Sequence, residues 1–164
     1  GGRPGECSCS ESAKSKYLRR LSGPLLDRFD LRVWVGRPTP GQLLDAGPGE
    51  SSDAVRDRVL AARALADARG HGPNSELTAA QLDVVAPLTA SALEIVRTEL
   101  DRGRLSGRGL HRVRRVARTI SDLQGGAEVI DAPQVLLALQ MRAELLRRPT
   151  FSTPADSTLT GGHR

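Results

Sequence analysis

Aromatic residues are nearly missing from this chain of 164 residues: Tyr17, Phe29, Trp34 and Phe151 make up 2% of it. Any core must therefore be aliphatic, built from Leu, Val and Ala. That disfavours a β-sandwich, which draws on β-branched and aromatic side chains, and favours packed helices. Lysine is as scarce. Lys14 and Lys16 are the only two, so 22 of the 24 basic residues are arginine. Neither lysine follows a glycine, which excludes a G-x-x-x-x-G-K-[ST] phosphate-binding loop, and no acidic Walker B strand is present. No run of eighteen apolar residues exists, which excludes a transmembrane helix. Cysteine is limited to Cys7 and Cys9. A C-x-C pair supplies at most half of a four-ligand zinc site and makes a strained disulfide. Free thiols in a reduced cytoplasm are the plainer reading. The alternative is half of a metal site with its other ligands upstream of Gly1. The opening Gly1-Gly2-Arg3-Pro4 has neither Met nor a signal pattern, which points to a piece of a longer protein.

What is present reads as helix. The hydrophobic fraction of 38% is low, yet above that of a chain disordered throughout. The net charge of +5 permits contact with phosphates without establishing it. Residues 1–13 lack periodicity and read as coil, 14–21 as a short helix, and Ser22-Gly23-Pro24 as a breaker. Leu25 to Phe29 reads as a turn or a single helical turn. Leu31, Val33 and Val35 then alternate with other residues, the one convincing strand pattern. A lone strand has no ladder partner in this chain, so it implies a sheet that lies elsewhere.

From Ser51 the apolar spacing turns helical. Ser51 or Ser52 caps a helix carrying Val55, Val59, Ala62 and Ala66. Thr78 with Gln81, and Ser91 with Glu94, form capping boxes for the next two helices. The second of these carries Leu93, Val96 and Leu100. Ser106 caps the longest amphipathic run, with Leu110, Val113, Ala117 and Ile120 on one face and Val116 and Leu123 beside it. Gly125-Gly126 ends that run. Asp131, Pro133 and Gln134 open a last helix with Val135, Leu136, Leu139 and Leu146 on its apolar side. Residues 51–147 thus form a helical domain, 41–50 a linker, and 148–164 a disordered tail.

Two stretches carry a family signature: S-G-P-L-L-D-R-F-D-L at 22–31 and L-S-G-R-G-L-H-R-V-R-R-V-A-R-T-I-S-D-L at 105–123. In this order they resemble the C-terminal part of magnesium-chelatase-like AAA+ ATPases, in the competence-associated ComM (YifB-like) branch. N-S-E-L at 74–77 and the upstream C-x-C resemble it too. The resemblance implies a mainly α chain: the C-terminal helical lid bundle of an AAA+ ATPase, preceded over residues 1–40 by the last strand of a truncated α/β nucleotide-binding core. It implies that Arg28 is an arginine finger acting in trans, and that Arg108 is the sensor-2 residue touching phosphates in its own subunit. It further implies ATP and Mg²⁺ for the full-length parent, with no cofactor and no hydrolysis for this piece alone. A homo-oligomeric, hexameric ring in the cytoplasm, with DNA as candidate partner and no membrane, completes the expectation; metal insertion is the more distant substrate analogy.

Each assignment has a plainer rival. Arg28 could pair locally with Asp27 or Asp30. The arginines around Arg108, namely Arg102, Arg104, Arg112, Arg114, Arg115 and Arg118, read as a solvated face. His111 reads as an ordinary, partly exposed helix residue. Two rival functions remain: an Arg-rich helical module binding nucleic acid through residues 107–123, and a plain interaction domain. The module lacks aromatic stacking residues.

Overall fold

The computed structural model describes residues 28–33, 35, 36, 38–45 and 47–143, with the isolated positions 10, 12, 13, 16 and 25. Cys7, Cys9, Leu146, the tail at 148–164 and most of the expected helix over 14–21 lie outside the described residues. The described chain is mainly helical, as expected. Six α-helices follow in order: α1 (Pro40–Leu44), α2 (Ser52–Ala68), α3 (Ala79–Val85), α4 (Ala90–Asp101), α5 (Gly107–Leu123) and α6 (Ala132–Ala143). A 3-10 turn, Asn74–Glu76, sits between α2 and α3.

The helix starts follow from local chemistry. Thr39 and Thr78 close full capping boxes with Gln42 and Gln81, and Ser51 and Ser106 accept from the backbone N–H of Ala54 and Gly109. Each bond satisfies a donor that the first helical turn leaves free. The α4 start corrects the sequence reading. Its cap is Thr89, two residues before Ser91, and the Ser91 hydroxyl donates instead to Asp131 at 2.9 Å. Thr89 donates to the same carboxylate oxygen at 2.7 Å. The bridge Leu88↔Ile130 pairs the two segments in parallel just before α4 and α6, so the starts of these helices are fastened side by side. The hydrogen bond from Thr89 leads those that hold the Asp131 carboxyl below its usual range.

Helix α5 is the centre of the bundle and packs against α2, α3 and α6; α4 packs against α6. Val113, Ala117 and Ile120 of α5 meet a core made with Leu82, Ala92, Val96, Ile130, Val135 and Ala138. Three expected stripe residues are not in it. Leu93, Leu123 and Leu136 are exposed, because Ala92, Ile120 and Val135 beside them face inward. On α2 the stripe divides. Ala62 and Ala66 are buried under α5, while Val55 and Val59 lie partly open. Helix α5 ends in a Schellman turn, with Gly126 N–H on the Ser121 carbonyl at 2.8 Å and Gly125 N–H on that of Asp122. Gly126 has φ +77°, and a Cβ there would stand 2.7 Å from Leu65 of α2, so only glycine allows this approach.

The expected strand at 31–35 does not form: its described residues have no regular secondary structure, and none of the described chain is strand. No ladder partner lies beside it among the described residues, and a strand needs a ladder to satisfy its backbone. The segment is tied down differently. Arg32 N–H donates to the Met141 carbonyl of α6 at 2.8 Å.

Candidate functional site

The two motif segments come together at α5. The start of that helix is permissive for anions, because its free N–H groups carry partial positive charge. Arg108 lies in this first turn, exposed, and its guanidinium has no partner among the described residues. Arg28 is also exposed. Its carbonyl is bonded, but its guanidinium has no partner among the described residues either. The local rival for Arg28 fails at Asp30, which is taken by Arg112 at 2.7 Å, while Asp27 lies outside the described residues. His111 is partly exposed, as expected.

The remaining arginines of α5 are not a solvated face. Arg114 donates to the carbonyls of Leu82 and Ala86 and to Asp83. Arg115 donates twice to the Leu77 carbonyl, at 2.6 and 2.9 Å. Arg118 is 1% exposed and reaches the carbonyls of Val85, Ala127 and Glu128, the Ser121 hydroxyl and Asp122. These carbonyls lie around α3, several at its C-terminal end, and in the turn after α5. Apart from that of Leu82, which also accepts from the Ala86 N–H at 3.0 Å, they have no helical N–H to accept from, and a guanidinium with five donors serves several at once. Arg104, on the loop before α5, pairs with Glu99.

One carboxylate organises the deepest of these contacts. Asp122, buried, accepts from Arg69 at 2.8 and 2.6 Å, from Asn74 at 2.7 Å and from Arg118 at 3.1 Å. Burial alone would raise its carboxyl. The hydrogen bonds from Arg69 and Asn74 and the charges of Arg118 and Arg69 outweigh burial and hold it below the usual range. Burial pushes Arg118 down, against the pull of Asp122. The sequence reading missed Arg69, Asn74 and Asp122. A signal was available for part of it: Arg114, Arg118 and Asp122 are spaced by four, a row flanking the apolar stripe of α5.

The described residues hold no group of three His, Cys, Asp or Glu side chains able to bind a metal ion. No described helix is long and apolar enough to cross a membrane.

Comparison with known proteins decides the family. Residues 49–142 match the model described as magnesium chelatase, subunit ChlI C-terminal, and residues 1–43 match that of magnesium chelatase, subunit ChlI. The chain belongs to the magnesium-chelatase-like family. An uncharacterized protein of Mycobacterium tuberculosis is 41% identical over 88% of this chain and 29% of its own length. The competence protein ComM of Haemophilus influenzae is 37% identical over 78% of this chain and 25% of its own. The uncharacterized protein YifB of Escherichia coli is 36% identical over 82% and 27%. The chain is a member of this ComM/YifB group, matching its C-terminal portion, and spans under a third of the length of these relatives. Within this family member, N-S-E-L has a structural use: Asn74 joins α2 to α5 through Asp122 and Thr119, and the Leu77 carbonyl receives Arg115.

Proposed function

We propose that this chain contributes an arginine finger and a sensor-2 lid to ATP hydrolysis by an oligomeric, magnesium-chelatase-like AAA+ motor. The observation that carries the reading is a division among the arginines of the two motifs. Arg112, Arg114, Arg115 and Arg118 are engaged by the chain itself, while Arg28 and Arg108 are exposed without partners among the described residues. A residue kept for a ligand should be free of internal partners.

In this reading Arg108 meets phosphates of its own subunit from the first turn of α5, where the backbone already favours anions. Arg28 reaches the nucleotide of the neighbouring subunit in a homo-oligomeric, hexameric ring. Both tasks suit arginine, which stays charged and forks onto phosphate oxygens. Mg²⁺ bound with ATP in the full-length parent would supply charge neutralisation at the phosphates, and no group of three His, Cys, Asp or Glu side chains among the described residues would hold it. Residues 51–147 act as the lid, 41–50 as its linker, and 1–40 as the end of the nucleotide-binding core. The competence name of the Haemophilus relative supports DNA as the substrate moved, in the cytoplasm.

The test is a chimera in which this chain replaces the matching quarter of the Haemophilus relative. Arg28→Ala should lower ATP turnover by roughly 10³–10⁵ with nucleotide affinity nearly intact, because a finger acts on charge that develops in the transition state. Arg108→Ala should weaken nucleotide binding as well. Turnover unchanged by Arg28→Ala removes the finger. The 164-residue chain by itself should not hydrolyse ATP.

A further inference from the structure

One side chain joins the two motif segments across 84 positions of sequence. The Nη1 atom of Arg112 donates to the Arg28 carbonyl at 2.6 Å and to Oδ1 of Asp30 at 2.7 Å. Arg112 stands four residues after Arg108, so the two arginines lie on the same side of α5, one turn apart. We infer that Arg112 is a positioning residue, which clamps the Arg28-bearing segment to the helix that carries Arg108. The inference rests on the roles proposed above for those two arginines.

The clamp is more than a surface ion pair, which by itself contributes little. The Arg112 side chain is only 20% exposed. Its cation bonds the backbone of the very residue whose side chain is to be aimed, and a charged donor on a carbonyl is stronger than a neutral one. The Arg32 N–H on Met141 is a second anchor four residues on. With the backbone held at the Arg28 carbonyl and again at Arg32, the Arg28 side chain swings from a fixed base. Without Arg112, the Arg28 carbonyl loses this bond, and the base of the finger can wander. A misplacement of about 1 Å in a group that acts on the transition state costs on the order of 10²-fold in rate.

The proposal separates from a plain structural role by the subunit in which the defect appears. Arg112 belongs to the lid helix, so a merely structural loss would disturb Arg108 and damage its own subunit's site. The clamp instead predicts a defect in trans, like that of Arg28. In the chimera, Arg112→Ala should lower kcat at unchanged KM for ATP. Activity should return in part when these subunits are mixed with subunits disabled in the phosphate-binding loop, and Arg112→Lys should recover part of the loss without mixing. A loss that mixing does not relieve, or a raised KM, overturns the proposal. A second measurement uses the whole chain without the chimera. Amide exchange of Arg32 should speed up about 10-fold in Arg112→Ala while the α5 amides keep their protection. Unchanged exchange at Arg32 also overturns the clamp. If Arg28→Ala leaves turnover intact, the finger reading falls instead, and exchange alone decides whether Arg112 holds the segment.

Discussion

In the bundle, Leu77, Leu82, Val113, Ile130 and Val135 are at most 2% exposed, whereas Leu31, Val33, Val35, Leu43 and Leu44 before it are 52–84% exposed. Both regions are rich enough in aliphatic residues to bury them. The difference is in what each can close. Helices satisfy their own backbone and need only one another's side chains. An alternating segment needs a ladder, and among the described residues it meets the Met141 carbonyl and the Arg112 guanidinium instead. The bundle therefore has its stability inside itself, and the preceding segment borrows its place from the bundle.

The sharpest way to break that comparison is to attack the buried carboxylate. Asp122→Ala leaves the buried Arg118 and the part-buried Arg69 without their shared partner, and should cost about 3–5 kcal/mol in thermal or denaturant unfolding. The same residue sets an acid limit. Its folded value lies below the ordinary 3.8, so the unfolded chain binds the proton more readily. Its stabilisation is complete well above pH 3.8 and disappears as the pH falls through and below that value. Asp122→Asn should flatten this part of an acid titration.

Gly126→Ala comes next. The added methyl meets Leu65 at a positive φ, and the loss should be roughly 1–3 kcal/mol in the same unfolding experiment. Thr78→Ala removes the capping box of α3 and should cost about 1 kcal/mol, while Thr78→Ser should be nearly silent. Val33→Ser and Leu43→Ser should change stability of the chain by no more than about 0.5 kcal/mol, since both side chains already face water. A large effect at Val33 would show that the segment shares the core after all.

Much of the bundle was legible in sequence because caps and apolar spacing are local signals. Ser51, Thr78 and Ser106 stand where the side-chain chemistry of helix starts requires. Thr89 was missed because Ser91 also offers a hydroxyl three residues before a glutamate, and a tertiary partner, Asp131, decided between them. Leu93 and Leu136 were misplaced because neighbouring apolar residues offer two overlapping stripes at helical spacing, and close packing of α4 on α6 turned Ala92 and Val135 inward instead. The arginine run was the largest misjudgement. Charge argues for solvent, yet Arg114, Arg115 and Arg118 fill the carbonyl-rich ends of neighbouring turns, and no local pattern reveals which turns those are. Arg28 and Arg108 were legible only through the family motifs. That both lack a partner among the described residues is seen only in the folded chain.

Arg28 and Arg108, exposed without partners among the described residues, are proposed to serve nucleotide sites in different subunits. The direct measurement is the ATPase rate of mixed chimeras at fixed total protein, with assembly checked by sizing. Arg28→Ala subunits mixed with subunits disabled in the phosphate-binding loop should regain activity, because some interfaces then combine an intact loop with an intact finger. Arg108→Ala subunits in the same mixture should gain nothing, since Arg108 and the loop belong to one site. Equal recovery of both variants, or of neither, contradicts the assignment.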